Sequence, residues 1–358
     1  MSTKARENHR GVGEHNVHCD GQSGLAFHAT LQRALNTLSD VESTDSDASA
    51  IVNIPSEVKL LPPVEEQTDV SISFKGYVAA IFGTFAPKRF TKGYSAWTGN
   101  AIVDAPSLKT QVRCWTISPE EANAVLAQCR EHKTTLTGVL HTLATEVLAG
   151  LVAEAPKGKK IYKTLHTSVP VSLRRFTNAS PLAMCDHVSA VHTYVPLPRP
   201  RAKSTEKPAP FPWNAASRFS ARLHRESAST REVIGTIRLL YSLGIARDYF
   251  LGSLGGKRGD TLEISNLGRF PAVDGAAAAG GEGAGAGSEP KWRISNTYFA
   301  QCDAVRGAAL KLNVAGAPSG SVSFTCTWGE GAVDEALAEA FSAGVKDGLL
   351  GLDKAPKS

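Results

Sequence analysis

The sequence predicts an α+β fold, on three observations. Stretches of helical and of strand periodicity both recur along the 358 residues, but without the regular βαβ alternation that a doubly wound sheet requires. Near the C-terminus, Ala308 to Val314 and Ser321 to Trp328 flank the turn Gly316-Ala317-Pro318-Ser319-Gly320 and read as a hairpin. Hydrophobic content of 42% and charged content of 20% are those of a globular chain able to bury a sizeable core.

In chain order, Ser23 is positioned to cap a helix running to about Leu38, with Phe27, Leu31, Ala34, Leu35 and Leu38 on one apolar face. Ser39 to Ser49, with Asp40, Glu42, Asp45 and Asp47, reads as a mobile surface loop. Leu60 to Glu66 is extended at its prolines, a second helix is expected from roughly Thr68 to Phe85, and Pro87 to Ser107 reads as a connection.

From Thr110 the signals agree more closely. Gln111 to Ile117 is a strand, and Ser118 caps the following helix, with Pro119 at its first position and Glu121 closing a capping box. Ala122, Val125 and Leu126 supply the buried face of that helix. A helix starting near Thr137 carries the stripe Val139, Leu140, Leu143, Ala144, Val147, Leu148 and Leu151, which leaves His141 facing solvent.

Ile161 to Leu173 and Val188 to Val195 read as strands, Pro196 to Pro212 as a Pro-rich linker, and Trp213 to Phe250 as mostly helical. Thr261 to Leu267 is a strand, Ala272 to Ser288 a flexible Ala/Gly insertion, and Trp292 to Ala300 a further strand. The last strand sets Val322, Phe324, Cys326 and Trp328 on one face. A closing helix, Val333 to Leu350, turns Val333, Leu337, Ala340, Phe341 and Val345 inward.

A net charge of +5, with Lys and Arg scattered, is far from the footprint of a nucleic-acid binder and suits a phosphate-bearing small molecule. The six cysteines lie far apart without a C-x-x-C pair, which fits reduced thiols and a cytoplasmic location. Met1 to Gly13 has no apolar signal segment, and Val70 to Ala86 is too short and too interrupted for a membrane span. Peripheral membrane contact stays open.

The chemistry concentrates in Glu14-His15-Asn16-Val17-His18-Cys19-Asp20-Gly21-Gln22-Ser23-Gly24. Three readings compete. His15, His18 and Asp20, with Cys19, could ligate a metal, although their crowding suits neither a helix face nor a strand face. A polar turn before a helix, with Asp20 bonding local N–H groups, needs no function at all. An acid–base site on a strand-to-helix turn would use the glycines for close substrate access.

His15 to Gly24 resembles the His-His-x-x-x-Asp-Gly-x-Ser-Gly signature of fungal alcohol acetyltransferases, relatives of chloramphenicol acetyltransferases, plant acyltransferases and peptide-synthetase condensation domains. Four further stretches resemble family motifs in the expected order: Leu61 to Glu65, Thr137 to His141, Val169 to Phe176 and Leu262 to Gly268. The resemblance spans about residues 14 to 352 and implies a two-lobed chloramphenicol-acetyltransferase-like α+β fold. It implies acetyl transfer from acetyl-CoA, a co-substrate rather than a resident cofactor, to a small alcohol. A histidine would act as general base, and Asp20 would pair with Arg174 or Arg175 to orient the loop. Gly21 would leave room for substrate. Ser265 or Asn266 would contact the cofactor side and the developing oxyanion, unless both serve only a strand-terminal turn.

Two departures qualify this. The family's base is the second histidine of the pair, and Asn16 occupies that position; asparagine does not accept a proton at neutral pH. His15 matches the first histidine, whose side chain on a strand would point to the opposite face. The motif also lies close to residue 1, so the expectation is an incomplete first lobe over 1–109 and a whole second lobe over 110–358. Met184-Cys185-Asp186 stands where relatives tend to have a glycine-asparagine pair. The functional expectation is therefore an alcohol O-acetyltransferase with His15, Asn16, Asp20 and Gly21 at its centre. The alternative is an impaired relative that acts by binding.

Overall fold

A computed structural model describes residues 19–37, 56–57, 60–85, 90–103, 106–154, 162–197, 210–252, 254–270, 291–302 and 305–352. His15, Asn16 and His18, the acidic loop 39–49, most of the Pro-rich linker and the Ala/Gly insertion lie outside these residues. The elements in order are α1 (Gly21–Thr37), α2 (Val64–Gln67), α3 (Phe74–Phe85), β1 (Ala96–Trp97), β2 (Thr110–Ile117), α4 (Pro119–Glu131) and α5 (Leu136–Glu154). There follow β3 (Thr164–Ser172), α6 (Arg174–Thr177), β4 (Val188–Pro196), α7 (Trp213–Glu226), α8 (Arg231–Ser242) and α9 (Ala246–Leu251). The chain closes with β5 (Asp260–Asn266), β6 (Ala308–Gly316), β7 (Val322–Gly329) and α10 (Glu335–Gly351). The fold is α+β, as expected.

The chain forms two compact units that interleave along the sequence rather than dividing once between 109 and 110. The first takes 1–67, 174–188 and 271–293; the second takes 68–173, 189–270 and 294–358.

The second unit holds a mixed seven-stranded sheet in the order β1-β3-β5-β6-β7-β2, with β4 paired to β3. β1, β3, β5 and β6 run parallel to one another, and β7 pairs antiparallel with both β6 and β2. The Gly316–Gly320 turn makes β6 and β7 the expected hairpin, and the Ser118 capping box opens α4 through reciprocal bonds with Glu121. Helices α5 and α10 supply Leu140, Leu148, Phe341, Val345 and Leu349 to the core, against Leu262, Ile264, Leu310, Leu312 and Phe324 of the sheet. By length and composition Leu136–Ala153 could cross a membrane, but the helix packs on α10 and α7 and most of that window is buried in the protein.

Several expectations change. α1 is capped by Asp20, whose carboxylate and carbonyl both accept the Ser23 N–H, so Ser23 lies inside the helix and is not its cap. Its buried residues are Ser23, Leu25, Ala26, Ala29 and Gln32, a face rotated from the Phe27–Leu35 stripe, and Ala34 is exposed. The helix expected from Thr68 is extended to Ser73 and starts at Phe74.

His141 is buried rather than solvated. It stacks on Phe219, with ring centroids 3.5 Å apart, and its Nε2 meets Thr167 Oγ1 at 2.9 Å. Burial, helped by the Arg222 charge, pushes its pKa down to about 3, so it is a neutral core residue. In α10, Ala340 is exposed and Ala338 and Ser342 take up the inward face.

Trp292 to Ala300 forms no strand. Side-chain hydroxyls take carbonyls that a ladder would use: Ser319 donates to the Ser295 carbonyl and Thr325 to that of Phe299. This segment helps explain why both faces of β7 are buried, Ser323, Thr325 and Thr327 as well as Phe324 and Cys326. Asn313 on β6 donates to both threonine hydroxyls, satisfying polar groups on that second face.

Candidate active site

The loop before α1 is tied down within the first unit. Asp20 donates its backbone N–H to the Cys185 carbonyl at 3.1 Å, and Cys185 returns its own N–H to Ser23 Oγ at 3.1 Å. The single Ser23 hydroxyl proton lies between the Cys185 carbonyl, at 3.0 Å, and Asp20 Oδ1, at 3.1 Å.

Arg174, the first residue of α6, meets Asp20 with both terminal nitrogens. Nη1 donates to Oδ2 and Nη2 to Oδ1 at 2.9 Å, and both side chains are only 6% exposed. The fork geometry matches two parallel N–H···O bonds to one carboxylate. Nη2 also donates to the Ala183 carbonyl at 3.1 Å. Burial pulls the Arg174 pKa down, but the hydrogen bonds and charge of Asp20 outweigh it and hold the guanidinium above its ordinary value. Arg175 is exposed and lies over Phe176, so Arg174 is the partner of Asp20.

Asp20 Oδ2 further accepts the His187 backbone N–H at 3.3 Å. With the Arg174, Ser23 and His187 donors all converging on it, Asp20 has no oxygen left for acid–base work or for a metal. It is an anchor, which disposes of the metal reading of His15, His18 and Asp20 as far as Asp20 is concerned. Gly21 opens α1 half-buried, directly after that anchor.

His187 carried no signal in the sequence beyond its place after Asp186, yet it organises the far side of the loop. Its Nδ1 meets Thr177 Oγ1 at 3.0 Å and its Nε2 meets Gln67 Nε2 at 3.3 Å. Gln67 also donates to the Pro62 carbonyl. A consistent assignment has Gln67 donating to Nε2 and Nδ1–H donating to Thr177, whose own proton goes to the Arg174 carbonyl. Burial lowers the His187 pKa, keeping the ring neutral.

Asp186 is the uncomfortable member. Burial, and then the negative charge of Asp20, push its carboxyl up to about 6 against the pull of Arg174. Its Oδ1 has no hydrogen-bond partner among the described residues. A folded-state pKa raised above the unfolded one means stability that is full below about pH 4 and is lost as the pH rises through about 6. Asp186→Asn is therefore expected to stabilise the fold at pH 8 by about 1–2 kcal/mol, allowing for solvent screening of a half-buried group. The gain should vanish near pH 4. Urea unfolding at both pH values checks this, and equal midpoints at pH 8 would refute it.

Ser265 and Asn266 belong to the other compact unit. Ser265 is buried at 4% exposure. Asn266 donates to Thr137 Oγ1 at 3.1 Å and accepts the Gly268 N–H at 2.8 Å, so it closes the turn after β5, where Gly268 takes φ +77°. Its carboxamide oxygen is already occupied, and only its amide protons are of a kind to reach an oxyanion.

The profile of the alcohol acetyltransferase family matches residues 12–342, which takes in the Asp20 loop, Arg174 and Asn266. The chain belongs to that family. A probable alcohol acetyltransferase of Aspergillus fumigatus is 24% identical over 339 residues, covering 92% of this chain and 66% of its own length. A probable alcohol acetyltransferase of Fusarium pseudograminearum is 26% identical over 346 residues, covering 94% and 66%. The chain thus spans just under two thirds of these relatives.

Among solved structures, trichothecene 15-O-acetyltransferase of Fusarium sporotrichioides aligns at a TM-score of 0.59 with 13% identity, covering 93% of this chain and 64% of that one. The epimerization domain of tyrocidine synthetase B aligns at 0.51 with 12% identity, covering 95% and 67%. These two likenesses show the fold alone, an α+β fold that this chain shares with that acetyltransferase and that epimerization domain.

Proposed function

We propose that the chain transfers an acetyl group from acetyl-CoA to the hydroxyl of a small alcohol, in the cytoplasm. The observation that carries the reading is the buried two-point pair between Asp20 and Arg174. It fixes the segment that follows His15 and Asn16, inside the region matched to the family. In the reaction a base takes the alcohol proton as the oxygen attacks the thioester carbonyl. The tetrahedral oxyanion then collapses, the C–S bond breaks, and the CoA thiolate leaves with the proton returned by the base. No disulfide joins any of the six cysteines, which suits a reducing compartment.

Asn16 favours a second reading, a chain that keeps the fold and binds acetyl-CoA without turning it over. The test is ester formation from acetyl-CoA and a panel of alcohols, followed by mass spectrometry and thiol release, for the wild type and for Asn16→His. Ester from the wild type supports acetyl transfer, whereas ester from Asn16→His alone supports the second reading. Acetyl-CoA binding without ester from both supports the second reading, and absence of binding by both overturns the two together.

A further inference from the structure

Within the second unit, three neighbouring strands each bring one ligating side chain to a single patch. His166 lies on β3, His192 on β4 and Asp260 opens β5, with β3 between the other two. Asp260 Oδ1 is 2.9 Å from His166 Nδ1 and 3.3 Å from His192 Nδ1. The three ligand atoms lie within 4.8 Å of one another, and no other such group occurs among the described residues. A tetrahedral ion with bonds of about 2.0–2.2 Å needs ligand atoms about 3.3–3.5 Å apart. The His192 distance already meets this, and the His166 distance needs to open by about half an ångström.

The patch is held in shape by its neighbours. Tyr194 stacks on the His166 ring at 4.2 Å between centroids, and the His166 N–H is bonded to Thr261 Oγ1 at 2.9 Å. The Gly259 carbonyl sits 2.9 Å from His166 Nδ1, and the Gly259 N–H is bonded to the Arg306 carbonyl at 2.7 Å. The side chains of His166 and Asp260 are 15% and 13% exposed, whereas His192 is 43% exposed. That combination gives a fixed floor and an open side.

We propose that His166, His192 and Asp260 bind one divalent transition-metal ion, zinc by its chemistry, with water or the Gly259 carbonyl completing four ligands. Two imidazoles and a carboxylate are a borderline N/O donor set that suits zinc over magnesium or calcium. In the metal-bound form each imidazole is neutral with its proton on Nε2, so that Nδ1 presents its lone pair, and the carboxylate is ionised. The ion would cross-link β4, β3 and β5, independently of the acetyl-transfer reading.

The test uses the full chain stripped with EDTA and titrated with zinc chloride, then with cobalt chloride. The expected results are one equivalent of zinc bound, a higher Tm, and cobalt d–d bands without a thiolate charge-transfer band. His192→Ala, at the exposed position, should weaken zinc binding at least tenfold, and Asp260→Asn should do so where it folds. His224→Ala, an exposed histidine elsewhere, should not. Absence of stoichiometric binding overturns the proposal. So does binding unchanged by His192→Ala, or a thiolate band that assigns the ion to cysteines.

Discussion

Asp20→Ala is expected to cost about 3–5 kcal/mol of folding stability, the penalty for stranding a buried charge. The stranded group would be Arg174, at 6% exposure and with a Nη2 otherwise shared with the Ala183 carbonyl. Arg174→Ala should cost a similar amount, because Asp20 would keep only the Ser23 and His187 donors. The double variant Asp20→Ala with Arg174→Ala buries no charge and should recover part of the loss, giving a coupling of about 0.5–3 kcal/mol in a double-mutant cycle. A domain is stable by about 5–15 kcal/mol in total, so either single variant removes a large share. Urea denaturation of the four proteins is the measurement. Single-variant losses below about 1 kcal/mol would mean that the pair is solvated.

Asn16→His should raise the rate of acetyl transfer by about 10²–10⁴-fold, the usual worth of a general base. The anchor four residues on is intact, since Asp20 is bonded to Arg174, Ser23 and His187. What position 16 lacks for the proposed reaction is a proton acceptor, since asparagine offers none at neutral pH. The gain should appear in kcat with KM for the alcohol little changed, because the substitution adds an interaction used in the transition state. His15→Ala in the wild-type chain is the control for a fallback base. An Asn16→His rate within threefold of wild type, with acetyl-CoA bound, would remove position 16 from the chemistry.

The elements legible in the sequence were those specified by short-range signals. The Ser118 capping box and the Gly316–Gly320 hairpin need only a few neighbouring residues, and both form as read. His141 departs from the solvent-facing position that its spacing predicts because residues 138–145 of α5 are buried without interruption. The segment from Trp292 departs from the predicted strand, with its Ser295 and Phe299 carbonyls taken by Ser319 and Thr325, residues more than twenty positions away. At the site, the pairing of Asp20 with an arginine was legible through the family pattern. The choice of Arg174 over Arg175 was not, because it depends on which of two adjacent side chains the start of α6 turns inward. The roles of His187 and Gln67 rest on contacts spanning 120 residues, for which no local periodicity exists.

The interleaved first unit has a consequence for how the chain comes to be folded. Asp20 and Arg174 are 154 residues apart, and Asn36 and Trp292 are 256 apart. At a synthesis rate of about 5–20 residues per second, α1 leaves the ribosome roughly 8–30 s before its arginine does. During that interval Asp20 and Ser23, both buried in the native protein, lack their partners Arg174, Cys185 and His187. The β6–β7 hairpin, by contrast, can close as soon as it emerges. Contacts of such long range also raise contact order and slow folding. The loop before α1 therefore cannot take its final shape until Arg174 has been made.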